Sequence, residues 1–373
     1  MSSITRRSLL GAGLTLPVAA SLATASSAGR SAAPATARAG KLLVLGGTRF
    51  LGPPIVEAAL AAGYDVTLFN RGRSDPGRFA KLEQIQGDRD TGDLSGLQGR
   101  KFDAVVDTSG YAPLHVQQAC EALRDHVAHY VFVSTVSVYP DQSAANVDEK
   151  TPTSKLTAEA IAAATTIREG SANYGPMKAE CERAAESAMP GRVTIVRPGL
   201  IVGPDDSSDR FTYWPARVAR GGEVLAPPDP DAEVQFIDVR DLAAWMVHCL
   251  EERVVGVFNA DGFAGRVSMA EFLHACKAAT STPVTFTWGS EEFLTEHEVG
   301  PWMAMPLWLP RAGNTYAVND KARAQGLTFR PLADTIRDTL HWAKAERGDR
   351  PFARTGVKPE REQELLALLR DKR

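Results

Sequence analysis

The chain has 373 residues, 44% of them hydrophobic, and its 42 basic side chains nearly balance its 45 acidic ones, leaving a formal net charge of −3. That composition supports a globular core of one large α/β domain or two ordinary ones, and it excludes polyanion binding driven by bulk charge. The four cysteines, Cys120, Cys181, Cys249 and Cys276, have neither CxxC nor metal spacing and read as packed free thiols.

Residues 1–40 differ from the rest. Thr5-Arg6-Arg7-Ser8-Leu9-Leu10 leads into a mild apolar stretch ending near Ala23-Thr24-Ala25, a small-x-small cleavage pattern. The segment reads as a twin-arginine export signal with an Ala/Ser-rich linker; an ordinary secretory signal is the alternative, and a permanent membrane span is the weaker one. The expected destination is periplasmic or extracellular. Folding and ligand loading would come first, in the cytoplasm, because a bound ligand stabilises only the native state.

From Lys41 onward β-rich runs alternate with amphipathic helices. Strands are predicted at 41–45, 65–69, 82–85, 103–106, 130–133 and 193–196, with helices from Pro53, over 116–123 and from Tyr174. Short links between such elements permit only right-handed crossovers, which stack the strands into a Rossmann-type, doubly wound parallel sheet of the α/β class. The sheet domain covers 41–203. Residues 204–373, richer in proline and tryptophan, form mainly a smaller C-terminal substrate lobe, with segments near 235–262 returning to the core and an amphipathic helix at 359–370.

Directly after the first strand comes Gly46-Gly47-Thr48-Arg49-Phe50-Leu51-Gly52, opening a helix whose first turn carries Pro53 and Pro54. A glycine turn in that position lets backbone N–H groups and the helix N-terminus approach a pyrophosphate, which points to a dinucleotide. Arg49 stands where such turns usually have glycine, so its side chain must swing outward, over a phosphate or into solvent. The second strand ends at Asn70-Arg71-Gly72-Arg73 without the acid that holds the ribose hydroxyls of NAD. Asn70 takes that slot, and Arg71 and Arg73 suit the extra 2′-phosphate, so NADP is favoured over NAD. Asp88, in the turn after the third strand, is placed to meet the adenine ring.

The run Phe132-Val133-Ser134-Thr135-Val136-Ser137-Val138-Tyr139 closes a strand, and Tyr174-Gly175-Pro176-Met177-Lys178 begins a helix. Four residues apart, Tyr174 and Lys178 share a helix face. A phenol with a pKa of about 10 is a poor base at neutral pH, but a neighbouring ammonium stabilises the phenolate. Thr135 can hold a substrate oxygen while Tyr174 exchanges its proton and a hydride passes to or from nicotinamide.

With these motifs in this order, the chain resembles the epimerase/dehydratase branch of the extended short-chain dehydrogenase/reductase superfamily over roughly residues 41–342. The resemblance implies catalytic roles for Thr135, Tyr174 and Lys178, with Lys178 also holding the nicotinamide ribose. Arg197-Pro198-Gly199, Val202-Gly203-Pro204, Phe236-Ile237-Asp238-Val239 and Phe258-Asn259 are further family-like signatures, and Pro198 is expected among the cofactor contacts. The implied function is NAD(P)-dependent hydride transfer on a small carbonyl or alcohol substrate, sugar-like in this family.

Two departures limit that transfer. The spacing from Thr135 to Tyr174 implies an insertion at about 144–166. Val136-Ser137 also replace the acidic pair that follows the catalytic threonine of sugar dehydratases, which ranks dehydratase chemistry low. The alternatives are an epimerase that retains its cofactor, a cofactor-binding protein without turnover, and an RNA-binding protein. The last arises because the Gly-Gly-Thr-Arg-Phe turn looks like that of chloroplast stem-loop RNA-binding relatives, although the near-neutral charge speaks against it. Arg210, with Tyr213 and Trp214, is a candidate clamp for an anionic substrate group; a capped helix start with aromatic packing explains the same residues equally well. His126, His129, Glu292, Glu296, His297 and Glu298 lack an obvious third ligand, so no metal is expected. A small molecule is the expected partner and nucleic acid is not; a homodimer is compatible with the chain, whose oligomeric state stays open.

Overall fold

The computed structural model describes residues 40–140, 146–163, 173–310 and 316–371. The predicted export signal and linker therefore lie, apart from Gly40, outside the described residues.

Seven strands form the central sheet: β1 (Lys41–Leu45), β2 (Asp65–Asn70), β3 (Glu83–Gln86), β4 (Ala104–Asp107), β5 (His129–Val133), β6 (Val193–Pro198) and β7 (Gly256–Ala260). Their order is β3-β2-β1-β4-β5-β6-β7 and every pairing is parallel. Both faces are covered. Leu42 and Val44 belong to one buried cluster with Ile55 and Val56 of α1 (Gly52–Ala61) and with Leu242 and Met246 of α4 (Val239–Glu251). Leu43 and Leu45 belong to another, with Val116 and Cys120 of α2 (Pro113–Leu123) and Cys181 and Ala185 of α3 (Tyr174–Ala188). Each Val, Leu, Ile or Met side chain among them contributes about 1.5–3 kcal/mol on full burial, and a one-residue slip would exchange the two faces, so the apolar run fixes the register.

The helix starts are locally encoded. Proline occupies the opening turn of α1, where a missing N–H costs nothing and φ is already helical. Asp238 caps α4 by accepting from the Arg240 amide at 2.9 Å.

After β6 the chain builds the second lobe around Phe211, Tyr213, Trp214, Phe236 and Phe272. Leu200–Val202 pairs with Phe236–Asp238, and Gly222–Ala226 pairs with Val284–Trp288. Between these two pairings the chain passes through α4 and β7 at the far edge of the main sheet, then comes back to complete the lobe. A helix at Pro359–Asp371 is pinned back onto the lobe by buried Glu362, which accepts from Arg217 Nε at 2.6 Å and from the Leu225 amide at 3.1 Å. Of the predicted insertion, residues 146–163 are described. Asn146–Val147 pairs with Tyr316–Ala317, and Glu149 accepts from the Asn259 amide at 2.8 Å, so this segment packs over the end of β7.

All four cysteines are buried free thiols, and burial pushes Cys120 up to about 12, which leaves it unreactive. Among the described residues no helix is long and apolar enough to cross a membrane.

Candidate active site

Strand order reverses between β1 and β4, and the crevice beyond their C-terminal ends is where an open α/β sheet binds ligands. The glycine turn borders it. Gly46 and Gly47 have φ of +109° and +92°, in the region that favours glycine. A Cβ at Gly46 would lie 2.3 Å from Thr108 Oγ1, and one at Gly52 would lie 2.5 Å from the Gly47 backbone. The turn is therefore folded tightly back on the start of α1, and any side chain would fill the cradle. α1 begins without a side-chain cap, but its first turn has no N–H to spare: Gly52 donates to the Arg49 carbonyl at 2.9 Å, Pro53 and Pro54 carry none, and Ile55 donates to the Leu51 carbonyl at 3.4 Å, so an anion would meet the amides of the glycine turn and the positive end of the helix dipole. This geometry fits a pyrophosphate.

The rest of the turn divides by burial. Thr48 and Leu51 are buried, Phe50 packs against the sheet core at a φ of 40°, and Arg49 is exposed. Phe50 and Leu51 thus pack against the sheet core while their backbone forms part of the turn.

Asn70 shapes its own turn, accepting from the Gly72 amide at 2.8 Å and donating to Gln84 Oε1 at 3.2 Å. Arg71 pairs with Asp90 at 3.0 Å and Arg73 with Asp88 at 3.6 Å, all near the surface. Asp88 also accepts from the Asp90 amide at 3.1 Å. The two arginines expected to meet a 2′-phosphate are thus already matched with carboxylates.

Sequence reasoning missed the crevice floor. Asp107, the last residue of β4, is fully buried and takes a two-pronged ion pair from Arg89 at 2.8 and 2.9 Å, plus the Tyr130 hydroxyl at 2.6 Å. Burial disfavours its charge, yet Arg89 and Tyr130 hold its carboxyl below the usual range. Arg89 also donates to the His115 carbonyl at 2.9 Å, tying the end of β3 to α2. An Arg directly after Asp88 gave no sign of a partner 18 residues away.

Thr135 caps a short turn over Val136–Val138: its Oγ1 accepts from the Ser137 amide and donates to Ser137 Oγ, both at 3.2 Å. The start of α3 is pressed against this turn. A Cβ at Gly175 would lie 1.9 Å from the Ser137 carbonyl oxygen, so glycine at that position permits the approach. Tyr174, half-buried, opens α3, and Lys178 follows one turn later on the same face. Lys178 is buried, donates to the Val133 carbonyl at 2.6 Å and the Gly110 carbonyl at 2.7 Å, and lies 4.3 Å from the Phe132 ring centroid. Burial pushes its ammonium below the usual lysine value, against the opposing charges of Asp107 and Glu182. Two of its three N–H donors are committed, which leaves one for a ligand hydroxyl or a phenol.

Around this centre runs a buried polar chain. Ser134 donates to Glu182, whose carboxylate pairs with Arg197 at 2.6 and 2.9 Å; Arg197 donates to the Tyr139 hydroxyl at 2.9 Å, and that hydroxyl donates to Asn259 at 2.7 Å. Glu182 was legible in principle as the residue one helical turn beyond Lys178, but nothing in the sequence named its partners. Pro198 is buried at the end of β6, and Gly199 follows it. A Cβ at Gly199 would strike the carboxylate of Asp261, the residue after β7. Burial pushes the Asp261 carboxyl up to about 8, against one hydrogen bond from the Gly262 amide.

The substrate-lobe candidates separate. Arg210 is partly buried, donates to Ser208 Oγ at 3.2 Å and lies 5.2 Å from the Trp302 ring centroid. Tyr213 is 2% exposed and is bonded to the backbone of Val357, while Trp214 is fully buried and donates to the Pro306 carbonyl at 2.7 Å. For these two the expectation of substrate contact is corrected. Their rings fill the lobe core, and their polar tips are satisfied there.

Residues 42–260 match the family described as NAD dependent epimerase/dehydratase family. The chain is 32% identical over 246 residues to the chloroplast stem-loop binding protein of 41 kDa b of Arabidopsis thaliana, a match covering 60% of this chain and 58% of that protein. Among solved structures it is similar to the UDP-glucuronic acid 4-epimerase of Bacillus cereus in complex with NAD (17% identity, TM-score 0.60, 84% of this chain and 100% of that one). It is also similar to the UDP-N-acetylglucosamine 4-epimerase of the same organism (19% identity, TM-score 0.59, 84% and 99%). At these identities the structural likeness establishes the fold.

Proposed function

Because the chain belongs to the NAD dependent epimerase/dehydratase family, we propose that it is an NAD(P)-dependent oxidoreductase acting on a small carbonyl or alcohol substrate through Thr135, Tyr174 and Lys178. The observation that carries this reading is the setting of Lys178: a buried ammonium, held by two backbone carbonyls beside the strand end that bears Thr135, one helical turn from a half-buried phenol.

When bound, a nicotinamide dinucleotide supplies or accepts the hydride. Tyr174 gives its proton to a carbonyl oxygen in the reducing direction and takes one from an alcohol in the other. Lys178 stabilises the phenolate and offers its remaining N–H to the ribose. Thr135 orients the substrate oxygen. The glycine turn after β1 would hold the pyrophosphate, with the Arg89–Asp107 pair stiffening the neighbouring end of β4.

Arg71 and Arg73 support NADP over NAD. Exposed pairs such as theirs contribute about 0–1 kcal/mol, so a phosphate can displace the carboxylates. Residues 1–40 support export by a twin-arginine-type signal, and lysine at both Arg6 and Arg7 should leave the protein in the cytoplasm.

The NAD-bound epimerase among the structural neighbours favours a second reading, an epimerase of nucleotide sugars that keeps its cofactor. The Arabidopsis relative favours a third, RNA binding, which a net charge of −3 opposes. Native mass spectrometry of the protein purified from its own host tests all three. Co-purified dinucleotide is expected. Conversion of UDP-glucuronic acid without added cofactor identifies an epimerase, exchange with external NADPH during carbonyl reduction identifies a reductase, and retained RNA with no dinucleotide overturns both.

A further inference from the structure

Glu182 shares a helix with Tyr174 and Lys178 and is bonded to the neighbour of Thr135. It lies on α3 one turn beyond Lys178 and two beyond Tyr174, and it is 5% exposed. Its Oε1 accepts from Ser134, the neighbour of Thr135, and from Arg197 Nε at 2.9 Å; its Oε2 accepts from Arg197 Nη2 at 2.6 Å. Arg197 is in turn the neighbour of Pro198. One carboxylate thus links the ends of β5 and β6 to the helix that carries the phenol and the ammonium. The planar guanidinium fork fixes the carboxylate plane and so aims Oε1 at Ser134. Arg197 also extends the tie to β7 through Tyr139 and Asn259.

We propose that Glu182 is a positioning residue of the reaction centre: it sets the Thr135 and Pro198 strand ends against α3 and keeps a fixed negative charge on the Lys178 face of that helix. The proposal rests on the Thr-Tyr-Lys reading. A buried carboxylate needs a partner, and Arg197 supplies one. An apolar pair of similar size would pack the same space, but it would give Ser134 no acceptor and remove one of the opposing charges near Lys178. The charged and titratable groups around Lys178 are Tyr174, Cys181 and Glu182 on its own helix, Tyr111 with its ring centroid 5.2 Å away, Asp107 at the end of β4 and Arg89 after β3; burial disfavours the ammonium most, and Arg89 adds to it. Asp107 is paired with Arg89 and Glu182 with Arg197, so removing the Glu182 charge would leave Arg197 as an uncompensated buried cation and take one opposing charge from Lys178.

The test uses the full chain labelled with [ε-13C]lysine, with Lys178→Arg to assign the Lys178 signal. In Glu182→Gln the Lys178 transition should fall by about one pH unit, and the alkaline limb of kcat with UDP-glucuronic acid and dinucleotide should move down with it. Glu182→Asp keeps the charge and should return the transition to its parental position. Ser134→Ala leaves the buried ion pair intact; it should lower kcat about tenfold, with dinucleotide Kd within about twofold and the Lys178 transition unchanged. An unchanged Lys178 transition in Glu182→Gln overturns the proposal. Should Glu182→Gln fail to fold, parental kcat in Ser134→Ala overturns it instead. If Tyr174→Phe is as active as the parent, the Thr-Tyr-Lys reading fails separately, and the lysine titration, which needs no turnover, still decides the role of Glu182.

Discussion

The dinucleotide crevice and the substrate lobe solve opposite problems. In the crevice the functional surface is main chain: Gly46, Gly47 and Gly52 matter for the side chains they lack, and a Cβ at any of them would intrude on a neighbour. In the lobe the surface is made of side chains, and the same aromatic and basic residues serve packing or recognition depending on which way the chain turns. Tyr213 and Trp214 turned inward, where the Val357 backbone and the Pro306 carbonyl satisfy their polar tips. A motif that acts through its backbone therefore declares itself in sequence, whereas an amphipathic side chain does not.

Substitutions can break this contrast or sharpen it. The largest expected effect is on chemistry alone: Tyr174→Phe should lower kcat by about 10²–10⁴-fold with dinucleotide Kd nearly unchanged, and parental turnover would remove Tyr174 from the mechanism. Next comes a lobe change far from the crevice. Glu362→Ala strands the buried Arg217 and should cost about 3–5 kcal/mol, read by chemical denaturation, because breaking one partner of a buried pair leaves an uncompensated charge. Gly52→Ala should raise dinucleotide Kd by about tenfold or more, or unfold the turn, because its Cβ meets backbone that has no room to move.

Asp261→Asn gives an effect that depends on pH and has a definite sign. The folded carboxyl at about 8 stands above its ordinary 3.8, so between those values the native state binds more protons than the unfolded chain. This contribution to stability is fully present below pH 3.8 and is lost as pH rises toward 8, by up to about 1.4 kcal/mol per pH unit. The amide has no such slope. The Tm of the variant relative to the parent should therefore rise steadily from pH 4 to pH 8, and a flat difference would show that Asp261 ionises freely. The smallest effect is at the surface: Arg73→Ala should change the NADPH to NADH preference by about fivefold or less, since the side chain is largely exposed and already paired.

Much of the fold was legible because hydrophobic periodicity acts locally. The runs at 41–45, 130–133 and 193–196 are buried strands, and Pro53 marked the start of α1. Of the site, the glycine turn and the spacing of Tyr174 and Lys178 were legible for the same reason: each is set within one turn or one helix. What the sequence did not show was pairing across the chain. Arg71 and Arg73 read as free cations until Asp90 and Asp88 stood beside them. Arg89 and Asp107, 18 residues apart, meet only because β3 and β4 end at the same edge of the crevice.

By itself, then, the order of apolar runs and glycines determined a parallel sheet with a phosphate-sized turn after its first strand, since both depend on neighbours within a few residues. Tertiary structure decided which charges are matched, which aromatic rings are core, and that one glutamate binds Ser134 and Arg197 together. Those outcomes depend on distances between segments far apart in sequence, and local propensity carries no information about them.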